Sequence, residues 1–171
     1  GGKHVPGHGY VIPDSHVELP VDDRSLDAIQ EDLLPYRQLP LDAVMAAHVI
    51  YSCMDCNTAV FSNRWIDYLR NDIKFDGVVF TDDLSMAGAG VVGDMVNRVE
   101  TAYRAGCDML LVCNSPESVG DVLTSWQPTV DPVRGKRVEN LLSAQPAQDW
   151  RSLQKNPAYQ VALQTIAQLP T

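Results

Sequence analysis

Asp82 and Asp83 stand directly behind the apolar run Gly77-Val78-Val79-Phe80-Thr81. If that run is a buried strand, one carboxylate lies at its C-terminal end, facing the mouth of a sheet, where barrel enzymes place a nucleophile. The other suits the cap of the turn that follows, so the pair reads as one capping and one inward-facing group. Asp14-Ser15-His16 sets a carboxylate and an imidazole two residues apart. In an extended loop both project to the same side, so Asp14 can hold the Nδ1 proton of His16 and leave Nε2 to give and take protons. The carboxylate also favours the imidazolium, the acid form of such a group. Lys3-His4 ends a further short strand and offers donors for sugar hydroxyls, amides or carboxylates. Each motif also has a bland reading: a solvated lysine, a packed histidine, a loop histidine bonded to backbone.

Metal and redox chemistry fit less well. His4 and His8 have H-x-x-x-H spacing, with His16 and Asp14 nearby, but Pro6 and Gly7 break the helix that would align them. Cys53-Met54-Asp55-Cys56 is a C-x-x-C without the second pair a zinc site needs and without a helix start to make it a redox motif. No metal or cofactor is expected. With Cys107 and Cys113 the chain has four cysteines, too few for a disulfide scaffold, which fits a reducing compartment.

The elements that must position these residues follow from periodicity. Ala43 to Ile50, Gly77 to Thr81 and Asp108 to Cys113 are short apolar runs bounded by Asp, Gly or Asn, and read as buried strands, with the tail of a fourth near Lys3. Between them, Trp65, Ile66, Leu69 and Ile73 share one helical face, as do Met95, Val99, Ala102 and Tyr103, with Gly106 as a left-handed stop. Arg24 to Leu39 has helical spacing, but Pro35 should kink or restart it and Pro40 ends it. Ser115-Pro116 and Asn156-Pro157 signal helix starts, the first running to about Trp126 and the second to about Leu169. The first 23 residues, rich in Gly, Pro and His, read as a long functional loop.

The β-α-β-α-β-α order and continuous apolar strands predict an α/β fold with a parallel sheet. Polar residues gather at strand ends, at His48 and Ser52, Asp82 and Asp83, and Asn114 and Ser115, which favours a barrel rim. A complete (β/α)8 barrel takes about 250 residues. The 171 residues are therefore expected to form one domain, 1–171, that is the C-terminal portion of a TIM-type barrel, its N-terminal strands absent.

Composition excludes several classes of function. Lys and Arg number 13 against 22 Asp and Glu, a net charge of -9 that would repel phosphate backbones and anionic lipid, so no nucleic-acid or membrane partner is expected. The apolar stretches 43–54 and 156–171 are shorter or more polar than the roughly 20 residues a bilayer span needs. No export signal is read at the start of the chain.

Taken in order, Lys3-His4-Val5-Pro6-Gly7-His8-Gly9, Asp14-Ser15-His16, Asp42-Ala43-Val44-Met45 with Ala47-His48-Val49-Ile50-Tyr51, Phe75 to Met86, and Ala105-Gly106-Cys107-Asp108-Met109-Leu110 resemble the β-N-acetylglucosaminidases of glycoside hydrolase family 3 that act in bacterial cell-wall recycling. The resemblance implies a retaining β-N-acetylhexosaminidase that releases terminal β-linked N-acetylglucosamine from peptidoglycan fragments. It further implies Asp82 as nucleophile, His16 with its partner Asp14 as acid and base, and Lys3 and His4 as residues that hold the sugar. Val5, Ala46 and Thr58 depart from the family's usual phenylalanine, proline and proline, the stretch between Leu39 and Leu41 looks shortened, and the upstream half with further Asp and Arg contacts to the sugar has no counterpart. An isolated half-barrel would expose sheet edges and an apolar face. The alternative is thus a catalytically silent half-barrel that self-associates or binds a partner, with a homo-oligomer or a missing N-terminal half completing the sheet.

Overall fold

A computed structural model describes residues 1–11, 19–142 and 146–169 of the chain. Asp14 and His16 lie outside the described residues. Those described fall into two compact units, Gly1–Leu141 and Leu142–Thr171.

The first unit is an α/β structure on a parallel sheet. Strands β1 (Gly2–Val5), β3 (Ala43–Ala46) and β5 (Val78–Thr81) lie side by side in that order, with Lys3 opposite Met45 and Met45 opposite Phe80. A two-residue pair, β2 (Val21–Asp22) and β4 (Ile50–Tyr51), is also parallel. The run expected as one strand over Ala43 to Ile50 is thus divided: the Ala47 amide turns back to the Val5 carbonyl, and Ile50 donates instead to Pro20.

Asp108 to Cys113 is not a strand. Only Met109 bridges Phe80, with Asp108 and Met109 both donating to the Val79 carbonyl and Thr81 donating to Met109. Beyond that point the Leu111 amide, which a ladder would give to a backbone carbonyl, goes to the Thr81 hydroxyl at 2.8 Å. A side chain has taken over the backbone's partner, so the segment runs beside β5 without a regular ladder.

Helices cover one face of this sheet. In α1 (Leu26–Gln38) the Ser25 hydroxyl accepts the Ala28 amide, Asp27 and Arg37 sit at the ends the helix dipole favours, and Ile29 and Leu33, one turn apart, are fully buried. Pro35 does not restart it: in the last turn the proline forfeits one intrahelical bond, and the Leu39 amide still reaches the Pro35 carbonyl. In α2 (Asn63–Asn71) Ser62 caps the Trp65 amide, and Trp65, Ile66 and Leu69 enter the core. Asp94 caps α3 (Met95–Ala105) through the Asn97 amide, and Gly106 ends it with φ +112°, where a Cβ would meet Ile66 Cγ2 at 2.8 Å. Two further helices follow, α4 (Pro116–Ser125) and α5 (Pro132–Glu139). Burying a core side chain of this size contributes about 1.5–3 kcal/mol.

The other face of the sheet is open: Lys3 is exposed and Met45 and Phe80 half-buried along one row. The second unit carries α6 (Trp150–Gln154) and α7 (Pro157–Ala167), the latter capped by Asn156, with Trp150 and Tyr159 edge to face at 6.1 Å.

Among the described residues no helix is long and apolar enough to cross a membrane.

Candidate active site

β1 and β5 end on the same side of the sheet, and that common rim brings His4 to Asp82. His4 Nε2 lies 3.6 Å from Asp82 Oδ2, with both side chains only partly accessible. His8 meets His4 edge to face with ring centroids 5.6 Å apart. Lys3, one residue earlier on β1, is exposed in the row of Met45 and lines the open face with Gly2, Met45 and Phe80. The structure therefore brings together Asp82 and His4, with Lys3 on the neighbouring row. Asp14 and His16 lie outside the described residues.

Asp82 and Asp83 divide their work. The Asp82 amide donates to the Ala46 carbonyl at 3.2 Å, fastening the end of β5 to β3. Its Oδ1 accepts the Asp83 amide at 2.9 Å, leaving Oδ2 toward His4. The Asp83 carboxylate instead organises the turn and the neighbouring segment. It accepts the Ser85 amide at 2.9 Å, the Ser85 hydroxyl at 2.6 Å, the Cys113 amide at 3.0 Å and the Asn114 amide nitrogen at 3.2 Å. Partial burial would by itself raise the Asp83 carboxyl, but these donors outweigh it and hold the group below its ordinary value. Arg98 on α3 secures the far side of the turn, donating to the Leu84 carbonyl at 2.8 Å and the Gly93 carbonyl at 2.8 Å.

His48, noted in the sequence only as a polar residue near a strand end, is fully buried with Nε2 3.0 Å from the Asp83 carbonyl. Burial pushes its imidazole below the ordinary value, against the Asp83 carbonyl and the nearby Asp82 and Asp83 carboxylates. Two further fastenings carried no sequence signal. The Tyr51 hydroxyl donates to the Gly7 carbonyl at 2.7 Å, tying the segment after β1 to β4. Arg24 bridges buried Asp22 and half-buried Asp32 at 2.7 and 2.6 Å while its guanidinium lies 4.4 Å from the Tyr10 ring centre.

The described residues contain no group of three or more His, Cys, Asp or Glu placed to hold a metal ion. Cys53, Cys56 and Cys113 are exposed free thiols, and Cys107 is buried, its thiol pushed up to about 12 by burial. What the rim offers chemically is a fixed, partly accessible carboxylate with an imidazole beside it at a strand end, an arrangement suited to stabilising or attacking an electron-poor carbon.

A beta-hexosaminidase of Aromatoleum aromaticum is 49% identical over 173 residues, covering 98% of this chain and 49% of that protein. One from Chromobacterium violaceum is 45% identical over 173 residues, covering 98% of this chain and 48% of its own length. Among solved structures, NagZ from Neisseria gonorrhoeae in complex with N-trifluoroacetyl-D-glucosamine superposes with a TM-score of 0.85 at 36% identity, covering 97% of this chain and 49% of that one. The beta-N-acetylglucosaminidase from Thermotoga maritima superposes with a TM-score of 0.66 at 31% identity, over 81% of this chain and 33% of that one. The chain spans about half the length of the curated relatives it matches. Residues 1–140 match the model of the glycosyl hydrolase family 3 N terminal domain, and the chain belongs to that family.

Proposed function

We propose that this chain carries the catalytic rim of a retaining β-N-acetylhexosaminidase and belongs to a partial (β/α)8 barrel domain over 1–171. The observation that carries the reading is the 3.6 Å approach of His4 to Asp82 at the aligned ends of two parallel strands. The open row Lys3, Met45 and Phe80 supports the barrel part, because parallel sheets are ordinarily covered on both faces and this face suits the inside of a barrel. The amino-sugar substrate is supported by the relatives named beta-hexosaminidase and by the N-trifluoroacetyl-D-glucosamine complex of the gonococcal protein.

In the proposed reaction an Asp82 carboxylate oxygen attacks the anomeric carbon of a terminal β-linked N-acetylglucosamine as its bond to the leaving oxygen breaks. His16, held by Asp14, gives its proton to that oxygen. Water then gives a proton back to His16 and adds to the anomeric carbon, and the ester bond to Asp82 breaks. An imidazole thus replaces the second carboxylate of most retaining glycosidases, and their usual carboxylate separation does not apply. Lys3 and His4 donate to the sugar's hydroxyls. Peptidoglycan fragments in the cytoplasm are the substrate we favour, with no cofactor.

Chromophore release from 4-nitrophenyl N-acetyl-β-D-glucosaminide tests the reading. Turnover that disappears in Asp82→Asn, with folding retained, supports it. Equal rates in the two proteins, or a folded chain without turnover, would count against it.

A further inference from the structure

His48 is a buried titratable group that this chemistry leaves unused. Its side chain is wholly enclosed between β3 and β4, with Phe61 against the ring at 5.8 Å. A carbonyl oxygen can only accept, so the 3.0 Å contact with Asp83 places the proton on Nε2. Nδ1 is buried with no hydrogen-bond partner among the described residues, so nothing there stabilises a second proton. The ring is therefore a neutral donor of fixed tautomer.

What it holds is the residue next to Asp82. The Asp83 carbonyl accepts from His48 at 3.0 Å and from the Met86 amide at 3.1 Å, the Asp83 amide donates to Asp82 Oδ1, and the Asp82 amide donates to Ala46. With its carbonyl fixed, the Asp83 backbone has little freedom to rotate its amide away from Asp82. We propose that His48 is a positioning residue: by pinning the Asp83 carbonyl, its Nε2–H keeps the Asp83 amide aimed at Asp82 and so sets the direction of the Asp82 carboxylate. The proposal rests on the reading of Asp82 as the nucleophile. The charged groups that face His48 are Asp82 and Asp83 on the turn and Arg98 from α3. A permanent cation in its place would have to be desolvated and would compete with the sugar for the carboxylate, which is the physical reason for a neutral donor here.

The test compares the full chain with His48→Gln, which keeps an N–H donor at similar reach, and His48→Phe, which keeps a ring and loses the donor. Amide hydrogen exchange is read at Asp83 and, as an internal reference, at Val79, whose amide goes to Asp108 at 2.8 Å. In His48→Phe the Asp83 amide is expected to exchange about five- to ten-fold faster, the factor expected from one lost hydrogen bond, with Val79 unchanged. His48→Gln is expected to restore protection to within about two-fold. With the chromogenic substrate, kcat should fall in His48→Phe while KM holds. Unchanged exchange at Asp83, or equal acceleration at Val79, would overturn the proposal. If His48→Phe does not fold, nitrogen-15 NMR of the native imidazole decides: protonated Nε2 with bare Nδ1 supports it, and the opposite tautomer or an imidazolium at neutral pH overturns it. Absence of turnover in the unsubstituted chain would remove the glycosidase reading, while exchange and tautomer would still decide the role of His48.

Discussion

The amide of Asp83 donates to Oδ1 of Asp82 at 2.9 Å, so the second aspartate of the pair aims the first while its own carboxylate is occupied elsewhere. Two adjacent residues of one type thereby acquire different duties from their surroundings alone. Asp82 keeps one oxygen toward His4 and the rim, and Asp83 becomes the knot joining the turn to the segment at Cys113 and Asn114.

That knot gives stability a pH dependence. The Asp83 carboxyl is held below its ordinary value, and the same holds for Asp55, whose partial burial is outweighed by donors that include the Ser62 hydroxyl at 2.6 Å. A depressed folded value means that the stabilisation is fully present above the unfolded carboxyl value of about 4 and is lost as pH falls through the lower folded value. Urea midpoints measured downward from neutrality should drop through that window, and Asp83→Asn should flatten the drop. An identical profile in Asp83→Asn would show that the knot contributes nothing.

Asp108 is a buried carboxylate that ties together α2, β5 and α5. Its side chain has no exposure, and it accepts Arg70 at 2.6 Å, the Val79 amide at 2.8 Å and Arg137 at 3.0 Å. Asp108→Ala leaves two guanidiniums short of a partner and should cost about 3–5 kcal/mol of unfolding free energy. Urea denaturation measures this, and a loss below about 1 kcal/mol would contradict the assignment.

Tyr51 fastens the segment after β1 through its bond to the Gly7 carbonyl, and burial raises its phenol well above the ordinary value, so it stays a donor. Tyr51→Phe should cost about 1 kcal/mol and speed exchange of amides near Gly7. Unaltered exchange there would mean that other contacts hold the segment.

The cysteines should react unequally. Cys53, Cys56 and Cys113 are exposed, whereas Cys107 is buried with its thiol pushed up to about 12. Iodoacetamide on the native protein, followed by peptide mapping, should leave Cys107 unlabelled until denaturant is added. Labelling of Cys107 under native conditions at the rate of Cys113 would contradict the core described here.

Much of this was legible in the residues. The helical face of Met95, Val99, Ala102 and Tyr103 and the stop at Gly106 mark α3, Ser115-Pro116 opens α4, and the apolar runs at Ala43 and Val78 are strands, because each of these signals is local. The failures have physical causes of longer range. Asp108 to Cys113 has a strand's composition, but the Thr81 hydroxyl takes a ladder amide 30 residues away. Pro35 looked like a break, yet so near the helix end it costs only one bond. Asp131-Pro132 carries the same signal as Ser115-Pro116 and opens α5, which sequence reading passed over, whereas the two-residue strands β2 and β4 had no pattern to find. At the rim, Asp82 could be placed from the apolar run before it, whereas His4 follows Gly1-Gly2-Lys3 and its role at the site entered only through the family resemblance. The part played by His48 could not, since a buried histidine's partner is a carbonyl 35 residues on.

The most direct test of the central claim is chemical trapping of the nucleophile. Incubation with a fluorinated N-acetylglucosaminyl donor, chosen so that the second step is slow, should add one sugar mass, and peptide mapping should place the ester on Asp82. A label on another carboxylate, or hydrolysis that proceeds with Asp82 unmodified and replaceable, would contradict the account.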